Sequence, residues 1–261
     1  MMKLKDSLPR IFAQFAAVLY LYGCASGGPH TPMPIVYGPY GPTSAIGDAP
    51  MMTPRDIRHI VGPSETLWRI SRTYDVSIQD LMRRNNITDP AMIKKGAELI
   101  IPNTTGPKPV IPLYPTRKWT HIVVHHTATH DGDAYTIDAM HLQKGWENGM
   151  GYDFLINNGT KGKLDGQIQT GPRWIKQIDG AHANANGMNE HGIGIALVGN
   201  FSETRVSENQ MRALVFLVKT LKEYYDIPLR NVIAHHDVPG KNTECPGAHF
   251  PWRDFMARIN N

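Results

Sequence analysis

The 261-residue chain reads as an α/β (α+β) protein, a mixed central β-sheet flanked by helices, with a small strand–helix–helix–strand (βααβ) unit ahead of it. Three observations carry this reading. From residue 117 onward, short β-branched apolar runs alternate with stretches of helical periodicity. Ser77 with Asp80, and Ser207 with Gln210, form capping-box signals at helix starts. Proline-rich stretches at 27–55 and 104–115 set a small module apart from a larger one.

At the N-terminus, Lys3, Lys5 and Arg10 precede an apolar stretch broken only by Gln14. It is too short to span a bilayer as a mature helix and matches the core of a signal peptide, expected over 1–23. The run ends Leu21-Tyr22-Gly23-Cys24, which resembles a bacterial lipobox. That resemblance implies lipidation of Cys24, and Ala25 after it implies an outer-membrane lipoprotein facing the periplasm; the alternative is a soluble periplasmic or secreted protein. Residues 24–56 carry Pro29, Pro32, Pro34, Pro39 and Pro42 and few periodic apolar positions, so they are expected to be a tether. About thirty residues at roughly 3.1 Å each would reach about 90 Å.

The small module spans 57–103. His59-Ile60-Val61 reads as a strand, and Ser64 is expected to open a helix in which Leu67, Ile70 and Tyr74 recur at helical spacing. A second helix follows Ser77, and residues 97–102 close the unit as a strand. The segments GPSETLWRISRTYDVSIQDLMRRNNI and IKKGAELIIP resemble a LysM domain over its whole length, which implies binding to N-acetylglucosamine-containing glycans. Asn85 and Asn86 read as a helix C-cap and turn rather than as sugar contacts. A second linker, 104–116, is expected to separate this unit from the large module at 117–261.

In the large module, strands are expected at 120–125, 152–156, 193–198 and 231–234, and a helix at 136–144. A longer helix begins at Ser207; Met211, Leu214, Val215, Val218, Leu221 and Tyr225 mark its buried stripe. The net charge of +4, without a dense Lys/Arg run, gives no nucleic-acid footprint.

Two histidine pairs follow β-branched runs, in IVVHHTAT (122–129) and in HHDVPGKNTECPG (235–247). Such runs deliver imidazoles from strand ends to a common cleft. The chain has two cysteines, and with Cys24 at the processing site Cys245 has no internal disulfide partner. Ten positions after His235, it can loop back as a ligand. Two imidazoles and one thiolate leave a fourth tetrahedral position for water, the arrangement of catalytic zinc, with one Zn2+ expected per chain. Strand alternation does not separate His125 from His126, or His235 from His236.

The segments IVVHHTAT, HLQKGWENGMGYDFLI, GAHANANGMNEHGIGIALVGNF and IAHHDVPGKNTECPG occur in this order. Together they resemble the type-2 N-acetylmuramoyl-L-alanine amidases, the family that includes the peptidoglycan recognition proteins. The resemblance implies His125, His235 and Cys245 as metal ligands and Tyr152 as a catalytic hydroxyl donating to an oxyanion. It also implies Thr243 as an auxiliary donor. His126, His182 and Asn184 are expected to line the substrate cleft. Relatives that use a glutamate base carry it in the strand that here reads GIGIALVG, where this chain has Ala196; Glu203 and Glu244 are the nearby carboxylates. The implied reaction is hydrolysis of the amide between N-acetylmuramic acid and L-alanine, with peptidoglycan as the partner and the membrane reached through the lipid. The rival reading is a catalytically inactive recognition or tethering lipoprotein; three intact ligands beside Tyr152 argue against it.

Overall fold

A computed structural model describes residues 53–260 together with the strand β1 (Ile35–Tyr37). The expected signal peptide and Cys24 lie outside the described residues.

In the small module, β2 (Arg55–Ile60) pairs antiparallel with β3 (Glu98–Thr104), and α1 (Leu67–Tyr74) and α2 (Ile78–Arg84) pack on the pair. Leu67, Ile70, Tyr74, Leu81, Leu99 and Ile101 form its core. The first helix starts later than expected: Thr66, not Ser64, caps it by accepting from Arg69 N, while Ser64 sits at a φ of 60°. Ser77 caps α2 as anticipated, accepting from Asp80 N. Asn85 is a structural pin. Its amide donates to Leu81 O and Ile100 O and its oxygen accepts from Ile100 N, which ties the end of α2 to β3.

The connector expected to act as a linker is instead folded. β4 (Val110–Pro112) lies in it, Ile111 and Leu113 are fully buried in the core of the large module, and the Trp174 indole donates to Pro112 O. Apolar residues between its prolines give it something to bury, which a spacer lacks. β1, within the stretch expected to be a tether, pairs antiparallel with β4.

The large module is built on a five-stranded mixed sheet in the order β7-β6-β8-β5-β9. β5 (His121–His126) lies between β8 (Gly192–Leu197) and β9 (Val232–Ala234), parallel to both. β6 (Phe154–Asn158) runs parallel to β8, and β7 (Asp165–Thr170) closes the edge antiparallel. β5 and β8 are fully or nearly fully buried, as their β-branched runs require. On one face, α6 (Glu208–Tyr224) starts at the expected capping box and buries Met211, Leu214, Leu217, Val218 and Leu221. The short helices α4 (Pro172–Lys176) and α5 (Met188–His191) sit in the connection from β7 to β8. The last helix, α7 (Trp252–Asn260), inserts Phe255 and Ile259 into the same core. α3 (Ala134–Gln143) opens on an Asp133–Thr136 capping box. Among the described residues, no helix is long and apolar enough to cross a membrane.

Candidate metal centre

Parallel strands end on one edge, and that edge assembles the site. β5 and β9 are in register at Val124 and Ala234, so the next residues, His125 and His235, come side by side. Their ring centroids are 4.4 Å apart. Cys245 returns on a loop held by its own carbonyl, which accepts from His236 N at 2.9 Å and lies 3.0 Å from His236 Nδ1. The thiol Sγ lies 3.8 Å from His125 Nδ1 and accepts from His126 N at 3.4 Å. One potential ligand atom from each of His125, His235 and Cys245 lies within 4.8 Å of the others.

Burial keeps the imidazoles of that cluster neutral and opposes ionisation of the thiol. Burial, together with the His182 and His235 rings, holds His125 well below the usual imidazole range. Burial brings His235 down to about 4 and lifts the Cys245 thiol to about 12. Neutral imidazoles are the form a metal requires, and a divalent charge among them stabilises the thiolate that burial opposes. The Nε2 of His235 is buried with no hydrogen-bond partner among the described residues. An orphaned donor atom beside a second imidazole and a thiol fits a zinc ion; two nitrogens and one sulfur are zinc's preferred donors.

Tyr152 borders the cluster, its ring centroid 5.4 Å from that of His125. Burial, and secondarily Cys245, pushes its phenol well above the usual range, so it stays protonated at neutral pH and keeps a proton to donate. Two contacts from α3 brace the loop that carries it. Asp138 Oδ1 accepts from Met150 N at 2.8 Å, and His141 Nδ1 accepts from Gly151 N at 3.0 Å. Asp138 and His141 fall in the expected helix 136–144 without any motif to single them out; burial of both polar side chains on α3 is what marks them.

The remaining expected residues surround the cluster without entering it. The His126 ring turns away from the cluster and its Nδ1 accepts from Phe201 N. Thr243 Oγ1 accepts from Cys245 N, shaping the turn that presents the thiol. Asn184 is exposed, at a φ of 47°. His182, expected to touch substrate, is 7% exposed, and both ring nitrogens face protein atoms. Ala196 is the register partner of His125 and is fully buried in an apolar cluster with Met150 and Leu155, so no carboxylate enters from that strand. Glu203 is exposed and faces His130, and Glu244 is exposed.

Residues 115–248 match the model of the N-acetylmuramoyl-L-alanine amidase family, and residues 59–102 match that of the LysM domain. The chain belongs to the N-acetylmuramoyl-L-alanine amidase family. It is 30% identical over 108 residues to peptidoglycan-recognition protein 2 of Holotrichia diomphalia, covering 38% of this chain and 52% of that protein. To peptidoglycan-recognition protein SA of Drosophila melanogaster it is 32% identical over 117 residues, covering 41% and 53%. The chain thus spans about half the length of these curated relatives. Among solved structures, N-acetylmuramoyl-L-alanine amidase LysC of Clostridium intestinale URNW is 36% identical, with a TM-score of 0.47, covering 57% of this chain and 91% of that one. Within this amidase-family module, the residues brought together are His125, His235, Cys245 and Tyr152.

Proposed function

We propose that the protein is a zinc-dependent peptidoglycan hydrolase that cleaves the amide between N-acetylmuramic acid and the L-alanine of the stem peptide. The observation that carries this reading is the convergence of His125, His235 and Cys245 beside a protonated Tyr152. Membership of the amidase family and the LysM match support the choice of polymer.

Zinc, when bound by these three residues, supplies Lewis acidity for the carbonyl and makes water a nucleophile near neutral pH. The chain's own residues do the rest. His125 and His235 offer neutral nitrogens, and Cys245 offers a sulfur that would give up its proton on binding the ion. As the amide carbon becomes tetrahedral, the Tyr152 hydroxyl donates to its oxyanion, a contact stronger in the transition state than in the substrate. The water oxygen forms the new bond to the carbonyl carbon, and the C–N bond breaks. The departing amine takes the proton that the water gives up, so the peptide leaves with L-alanine as its new N-terminus. Ala196, fully buried, leaves β8 without a glutamate base at this site. The LysM module raises the local concentration of enzyme on glycan, adding avidity without catalytic contacts. The lipobox-like Cys24 adds attachment to the outer membrane.

Incubating the purified protein with sacculi and sizing soluble products by mass spectrometry tests the reading. Free stem peptides are expected, and Cys245→Ala should lose zinc and product release together. Binding without release would make the protein a recognition or tethering factor instead.

A further inference from the structure

The His182 ring lies against the backbones of Gly180 and Gly194. A Cβ added at Gly180 or at Gly194 would each lie 2.5 Å from His182 Cδ2, a separation real Cβ atoms do not adopt. Glycine at both positions is what allows the imidazole to lie against these two backbones. Asn189 fixes the segment that carries it: its side-chain oxygen accepts from the backbone N–H of His182, Ala183 and Asn184. Its carbonyl also accepts from Gly180 N.

The ring joins a chain with a defined direction. His182 Nε2 lies 3.1 Å from Gly192 O, and His182 Nδ1 lies 3.1 Å from His125 Nε2. A carbonyl oxygen can only accept, so Nε2 of His182 carries the ring proton and Nδ1 is a bare acceptor. His125 must then donate through its Nε2. That leaves its Nδ1, the nitrogen 3.8 Å from Cys245 Sγ, as a lone pair aimed into the cluster.

We propose that His182 is a positioning residue that locks His125 in its Nε2–H tautomer and so presents Nδ1 to a metal ion, with Gly192 O as the anchor of the chain. The role in metal binding rests on the zinc reading above; the tautomer does not. Outer partners of this kind fix ring orientation and strengthen the ligand.

Two measurements on the full chain test it. Long-range 15N–1H NMR of the zinc-free wild type should show His125 protonated at Nε2; protonation at Nδ1 overturns the proposal without the need for a variant. Zinc affinity, read by competition with a chromogenic chelator, should fall about ten- to a hundredfold in His182→Ala. In the same variant the His125 tautomer should become mixed. A folded His182→Ala protein with wild-type zinc affinity overturns the role. Gly194→Ala, which keeps both histidines but puts a methyl group where the His182 ring lies, should weaken zinc binding in the same direction, and unchanged affinity there counts against the proposal. If wild-type protein binds no zinc, the hydrolase reading fails, while the tautomer measurement still decides the hydrogen-bond chain.

Discussion

Lys95 Nζ lies 2.7 Å from Asp138 Oδ2, an ion pair between the LysM-like module and the helix that braces Tyr152. The lysine side chain is 41% exposed and the carboxylate 4%, so the two partners are not equivalent. Removing the lysine leaves Asp138 its bond from Met150 N. Lys95→Ala should therefore cost about 1 kcal/mol. Asp138→Ala orphans a buried amide as well and should cost about 2–4 kcal/mol. Urea unfolding of both variants checks the order; no loss in Lys95→Ala would mean that the pair does not join the modules energetically.

Tyr152→Phe removes one hydroxyl and keeps the packing against His125 and His141. Turnover on purified muropeptides should drop about 10²- to 10³-fold, the usual effect of losing one oxyanion donor. KM and zinc content should stay near wild type. Unchanged turnover would reduce Tyr152 to a packing residue.

Asp153 is fully buried, accepts from Gly194 N through Oδ2, and leaves Oδ1 without a partner among the described residues. Burial lifts its carboxyl to about 7, against the lowering effects of the Gly194 bond, Arg117 and Arg173. Between the unfolded value of 3.8 and that figure, the folded state holds a proton that the unfolded state lacks. Stability thus falls as pH rises through this window and levels off above it, by at most about 4 kcal/mol. Asp153→Asn keeps an acceptor for Gly194 and should gain on wild type as pH goes from 5 to 8. Parallel pH curves from urea titrations of the two proteins would contradict this.

Chelation should lower the melting temperature. With free zinc at about a hundred times Kd, ligand binding adds about 2.7 kcal/mol to the folded state. For a module of this size that is about 5–10 °C. Differential scanning fluorimetry with and without a chelator reads it, and back-titrated zinc should restore the transition.

Much of the fold was legible because its signals are local. Ser77 and Ser207 cap helices through residues three positions away, and the β-branched runs before each histidine pair form the buried strands. β7 escaped because DGQIQT lacks the alternation of an apolar face. The Asn157 amide on β6 donates to Gln167 O and Gln169 Oε1, and the Gln167 side-chain oxygen accepts from Leu164 N. The folded connector was hidden because prolines flank the few apolar residues that dock it. At the site, residue types and spacing disclosed the donors. Which histidine of each pair faces inward depends on strand register, and the contacts of Asp138, Asn189 and His182 span loops that no short window contains.

The pairing of Ile35–Tyr37 with Val110–Pro112 shortens the leash. Ten residues, 25–34, separate Cys24 from the paired strand. Fully stretched at no more than about 3.6 Å per residue, they span about 40 Å, less than half of what the whole proline-rich stretch would allow. Were Cys24 lipidated, as its lipobox-like setting implies, the amidase-family module would be confined to a thin shell next to the lipid surface, within reach of only the nearest layer of the wall.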